Sequence, residues 1–167
     1  MTQLVLILAL FAAAVAQAML PAAIWTGLAP APLMPALVIY YALARPRLIM
    51  LEVALLAGLI EDSLGQTPLG YSSFCYCVAG LAVEHFRDTV VVRQWTTHAM
   101  FGAVVSLGVT VVSFALLAKD RLVEPDLLHV LLRPLGAAAL GAVVAPPVFA
   151  AVEFLDRTVG NVDVGET

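Results

Sequence analysis

Charge is the first thing this chain lacks. Asp, Glu, Lys and Arg make up 12% of its 167 residues, against about a quarter in a soluble domain. So few charges cannot cover a water-facing surface, and lipid is the expected solvent. The 8 basic residues are scattered and the net charge is −4, so nothing builds the basic stripe that a nucleic acid needs. No nucleic-acid partner is expected. Cysteine is scarce too: Cys75 and Cys77 are the 2 present. Two positions apart on a helix they sit roughly 200° apart, which excludes a mutual disulfide or a shared metal. They read as packing residues. There is no Walker-type loop and no G-x-G-x-x-G, so no nucleotide-driven engine resides in this chain. Neither His-x-x-x-His nor Glu-x-x-His occurs, so His98 and His129 have no partner at metal spacing and no zinc site is expected. No internal repeat of the inverted-repeat transporter kind is visible.

What is present is apolar sequence, 62% of the chain, with a mean hydropathy of +1.00. About 20 apolar residues cross a bilayer as a helix. On that measure the spacing predicts spans over 4–20, 28–44, 48–64, 71–86, 95–118 and 131–154. The expected fold is an all-α integral membrane protein, six transmembrane helices in one bundle and one domain over 1–167. Pro30, Pro32 and Pro35 mark an irregular entrance to the second span, and Pro146 with Pro147 predicts a kink in the sixth. The "AQA" at Ala16 to Ala18 imitates a signal-peptidase site. With no Lys or Arg before it and further spans after it, it is read as part of the first span.

Short-loop Lys and Arg set the orientation. Arg45, Arg47, Arg87, Arg93 and Arg157 fall on one face; Lys119, Arg121 and Arg133 fall on the other, accompanied by Asp120, Glu124 and Asp126. The bias predicts both termini in the cytoplasm. Trp25 and Tyr71 near one interface, and Tyr40, Tyr41 and Trp95 near the other, agree with aromatic belts.

Carboxylates in such a chain are functional candidates, because each costs about 2.5–3.5 kcal/mol at a helix centre. Glu52 lies near the cytoplasmic interface, within reach of Arg45 or Arg47. Glu84 and His85 end the fourth span as a solvated terminus. The sharpest feature is "GLIEDSLGQTPLG", Gly58 to Gly70. Glu61 and Asp62 point about 100° apart on a helix, so they form no proton-sharing dyad, and no Arg follows to suggest a protease motif. Gly58 and Asp62, at i and i+4, share one face, where glycine lets a second backbone approach. A carboxylate there can accept hydrogen bonds from amides of the turn or of the next helix. Asp62 is therefore expected to lock the helical hairpin, bonded to amides near Leu69 and Gly70. Glu61 is expected at the lipid edge or facing a partner. Ala12 and Ala16, Gly102 and Ser106, and Ala137 and Gly141 form small-residue faces that permit close helix contact.

The segment "PLMPALVIYYALARPRLIMLEVALLAGLIEDSLGQTPLG", Pro32 to Gly70, resembles the core of the rod shape-determining MreD family. The matching positions are Pro32, Tyr40, Ala42, Leu43, Arg45, Pro46, Gly58, Asp62, Leu69 and Gly70. Glu61 departs from the pattern, where an apolar residue is usual. The resemblance implies a non-enzymatic subunit of the bacterial cell-elongation machinery in the inner membrane, without cofactor or metal. Its implied partners are MreC, bound directly, and MreB, RodA and a class B penicillin-binding protein as members of one peptidoglycan-synthesising complex. The implied fold is similar to the substrate-binding components of energy-coupling-factor transporters. That fold leaves a rival expectation: a solute-binding component that captures a small molecule, such as a vitamin, among Glu61, Asp62, Gln66, Ser72 and Ser73 at the outer end.

Overall fold

The computed structural model describes residues 2–19, 32–65, 68–87, 95–119 and 127–158. Among these the chain is all helical, in six elements: α1 (Thr2–Met19), α2 (Leu33–Ala44), α3 (Arg47–Gly65), α4 (Tyr71–Phe86), α5 (Trp95–Lys119) and α6 (Leu127–Thr158). Each long apolar run becomes one helix, the local way to pair backbone groups that are withdrawn from water.

α2 is the hub. Its 12 residues are apolar all round, and Met34 to Ile39 and Tyr41 to Leu43 are buried, as befits an interior helix. It touches every other helix. Its residues divide between two packed clusters, one built with Leu6, Leu10, Val53 and Tyr76, the other with Met50, Val83 and Phe149. Pro32 precedes the helix and Pro35 falls in its first turn, where a missing amide hydrogen breaks no intrahelical bond.

Side-chain contacts show that successive helices alternate in direction. Gln3 reaches Glu52 and Gln17 reaches Glu61, so α1 and α3 run parallel. Arg47 meets Glu84, joining the start of α3 to the end of α4. Tyr40 meets Asp156, joining the ends of α2 and α6. His98 at the start of α5 stacks on Phe149 of α6 at 4.3 Å. The bundle thus has two faces, an Arg45 end and an Asp62 end. α5 and α6 pack closely: a β-carbon on Gly102 would strike the Gly141 carbonyl, and one on Gly141 would strike that of Gly102.

Several sequence expectations change. Among the described residues two helical stretches are long and apolar enough to cross a membrane, Trp95–Leu117 and Leu132–Thr158, so six spans are not established. α2 would measure only about 18 Å at 1.5 Å per residue, short of a hydrocarbon core of about 30 Å, and α3 is interrupted by carboxylates. Positions 28–31 of the expected second span lie outside the described residues. α6 starts at Leu127 rather than 131, so His129 belongs to a helix rather than a loop, and the helix continues through Pro134, Pro146 and Pro147. Ala12 and Ala16 are exposed, so that small-residue pair faces outward, unlike Gly102 with Ser106 and Ala137 with Gly141.

The surface is apolar. In the two long stretches only 22% and 33% of the most apolar window is buried, so neither is the interior helix of a water-soluble core. Met100, Val104 and Val143 stand about two-thirds exposed along them. Contiguous apolar surface of this extent requires lipid or protein to cover it.

Candidate functional site

Polar side chains gather at the two ends of the bundle. At the Asp62 end the chain turns from α3 into α4 through Gly70, whose φ of 102° is the left-handed region that side chains with a β-carbon avoid. Gly70 is also the N-cap of α4, and being glycine it can offer no side-chain cap. Asp62 supplies the cap from the preceding helix. Its Oδ2 accepts from the Gly70 amide at 2.7 Å and its Oδ1 from the Ser72 amide at 3.1 Å. The carboxylate is 1% exposed, and it sits where the α4 dipole favours negative charge. These are the bonds that the local spacing predicts. Leu69 itself is exposed.

Gly58 explains how the two helices come close enough. A β-carbon there would overlap the Ser73 backbone, and Ser73 Oγ donates to the Leu55 carbonyl at 3.0 Å across the same crossing. Glu61 faces α1. It is half-buried and its Oε2 accepts from Gln17 Nε2 at 2.6 Å. One helical step from Asp62 turns it toward α1 instead.

The Arg45 end holds a second cluster. Arg45, just past α2, forms an ion pair with Asp156 near the end of α6 at 3.0 Å, and both side chains are more than nine-tenths buried. Tyr40 Oη donates to Asp156 Oδ2 at 3.0 Å, and Arg87 donates to the Arg45 carbonyl at 3.2 Å. The C-terminal ends of α2, α4 and α6 are thereby tied together. Pro46 lies exposed at the turn into α3 and its carbonyl accepts from the Ile49 and Met50 amides. The expected Glu52 partners are taken: Arg45 pairs with Asp156, Arg47 with Glu84 at 3.5 Å, and Glu52 instead accepts from Gln3 at 3.0 Å.

Asp156 was passed over by sequence reasoning, which used its neighbour Arg157 for orientation. A signal existed. Phe149, Val152 and Asp156 recur at helical spacing, and all three are buried, so the carboxylate lies on the inward stripe of α6.

A cavity of about 190 Å³ opens at the Asp62 end, among α2, α3, α4, α5 and α6. Of the residues expected to form an outer solute site, Glu61 and Ser72 line it; Asp62 and Ser73 are turned into the α3–α4 contact. Gln66 lies outside the described residues, as do Trp25, Arg93, Arg121 and the acidic residues of the fifth loop. Among the described residues no three His, Cys, Asp or Glu side chains converge as metal ligands. Cys75 is buried, Cys77 is partly so, and both are free thiols.

Among the described residues, fold and polar clusters together define an all-helical, predominantly apolar bundle with two candidate membrane-spanning helices. Comparison with known protein families, curated proteins and solved structures gives no match.

Proposed function

We propose that this chain is a multi-pass membrane scaffold of the MreD kind, a non-enzymatic subunit of the bacterial cell-elongation complex. In this proposal it lies in the cytoplasmic membrane with the Arg45 end and both termini on the cytoplasmic side, grips MreC directly, and helps couple MreB to RodA and a class B penicillin-binding protein. All six helices then span or pack within the bilayer, with α2 as a short interior helix screened from lipid by the other five.

The observation that carries the proposal is the resemblance over Pro32 to Gly70. Support comes from where those residues lie. Arg45 anchors one end of the bundle through Asp156; Gly58, Asp62 and Gly70 fix the α3–α4 hairpin at the other. A matched motif whose members set helix geometry, rather than line a reaction centre, suits a protein that acts through its shape. Nearly all the described residues are helical, so the surfaces they offer a partner are helix faces and short turns.

The test is affinity purification of the full chain from mild detergent. Recovery of MreC and other wall-synthesis proteins is the expected result. Absence of MreC, together with thermal stabilisation by a vitamin or other single solute, would overturn the scaffold in favour of a solute-binding component.

A further inference from the structure

The cavity at the Asp62 end has a chemistry that the scaffold reading leaves unused. Its lining includes one carboxylate, Glu61, and one guanidinium, Arg133, together with Ser72, Tyr76, Thr110 and Ser113. The two charges make no ion pair with each other, and Arg133 has no hydrogen-bond or ion-pair partner among the described residues. Glu61 accepts from Gln17 alone among those residues, while the Gln17 Oε1 beside it is buried with no donor. A partly buried charge without a counter-charge is costly, and among the described residues neither Glu61 nor Arg133 has one, so this site is set up to be completed by something else.

The floor favours a donor. Thr110 Oγ1 gives its proton to the Ser106 carbonyl at 2.7 Å, and Ser113 Oγ gives its proton toward Cys75 Sγ at 3.6 Å. Both hydroxyls therefore offer the cavity lone pairs only. With the Glu61 carboxylate and the Tyr76 ring, this wall suits a group rich in N–H bonds and positive charge. Arg133, in the opening turns of α6, offers the opposite: a fork of donors for a phosphate or carboxylate. The volume of about 190 Å³ lies below the roughly 300–1,000 Å³ of sites for drug-sized ligands. A lone anion would meet Glu61, and a lone cation would leave Arg133 unanswered.

We propose that this cavity binds a small zwitterion, its primary ammonium on Glu61 and the hydroxyl wall, its anionic group on Arg133. The phosphoethanolamine unit has this form, either as the headgroup of a phospholipid or as a free molecule. The proposal is independent of whether MreC binds. Because the wall accepts hydrogen bonds, a quaternary ammonium, which has no N–H, should bind more weakly than a primary one.

The test uses the full chain in mild detergent, with binding read by native mass spectrometry and by the melting temperature. The probes are short-chain phosphatidylethanolamine, phosphatidylcholine and phosphatidylglycerol, and free phosphoethanolamine. The ethanolamine lipid, the free phosphoethanolamine or both should bind one per chain and raise the melting temperature. Choline and glycerol lipids should bind at least about tenfold more weakly, the loss expected when charged hydrogen bonds go unmade. Binding of the lipid alone assigns the headgroup as ligand; binding of the free molecule assigns a solute, and either supports the site. Glu61→Gln and Arg133→Gln should each weaken binding by about tenfold or more. Glu61→Gln keeps an acceptor for Gln17, and if it still fails to fold, Arg133→Gln and Thr110→Val decide. Equal binding of choline and ethanolamine probes, no binding of either ethanolamine probe, or unchanged affinity in the folded variants overturns the proposal.

Discussion

Removing the Asp62 carboxylate is the most direct perturbation of the α3–α4 hairpin. Asp62 is 1% exposed and accepts the amides of Gly70 and Ser72 at 2.7 and 3.1 Å. A hydrogen bond to a charged group contributes about 1.5–3 kcal/mol. Two that share one carboxylate are not fully additive, so Asp62→Ala should cost about 3–5 kcal/mol. Against a typical stability of about 5–15 kcal/mol that is a large share. It corresponds to a drop in melting temperature on the order of 10 °C for a chain of this size. Asp62→Asn is the informative control. Its carbonyl oxygen can still take one amide, but its NH₂ group confronts the other donor, so about half the loss should remain. Gly70→Ala keeps the carboxylate and strains the turn instead, at about 1–2 kcal/mol for a β-carbon in the left-handed region. The assay is gel filtration of a fluorescent fusion in mild detergent after stepwise heating, with circular dichroism as the check on helicity. Asp62→Ala melting within about 2 °C of the parent, or Asn behaving no better than Ala, would refute the capping account.

Four further outcomes follow from packing, charge and exposure. Gly102→Ala should lower stability by about 1–3 kcal/mol through overpacking, because its β-carbon meets the Gly141 carbonyl. Gly108→Ala, with open space around its β-carbon, should be tolerated; equal effects in the same heating assay would contradict the α5–α6 contact. Asp156→Asn or Arg45→Met should cost about 3–5 kcal/mol by stranding one buried charge. The combined Arg45→Met and Asp156→Leu variant should recover most of that loss, and a double variant as poor as either single one would argue against the pair. Tyr40→Phe removes one hydrogen bond to Asp156 and should cost only about 1–2 kcal/mol. In maleimide labelling of the folded protein, Cys77 should react ahead of Cys75, which is 3% exposed; the reverse order would mean that α4 is rotated.

The sequence by itself determined the elements and the hairpin. Six apolar runs give six helices, since a run of one character with few breaks leaves its backbone little choice. The Asp62 cap was legible for a related reason: donor and acceptor lie 8 and 10 positions apart, joined by a turn whose glycines and proline announce the reversal. Only the tertiary structure decided what lies far apart in the chain. Tyr40 and Asp156 are 116 positions apart and Gln17 and Glu61 are 44 apart. Nothing in either neighbourhood encodes the rotation that points one at the other. The interior position of α2, the facing of Glu61 toward α1, and the cavity between Glu61 and Arg133 arise the same way. Helical periodicity is a one-dimensional signal that fixes which face is apolar, whereas a partner depends on which helices are neighbours and how each is turned about its axis. Those two quantities are set by packing the whole bundle at once.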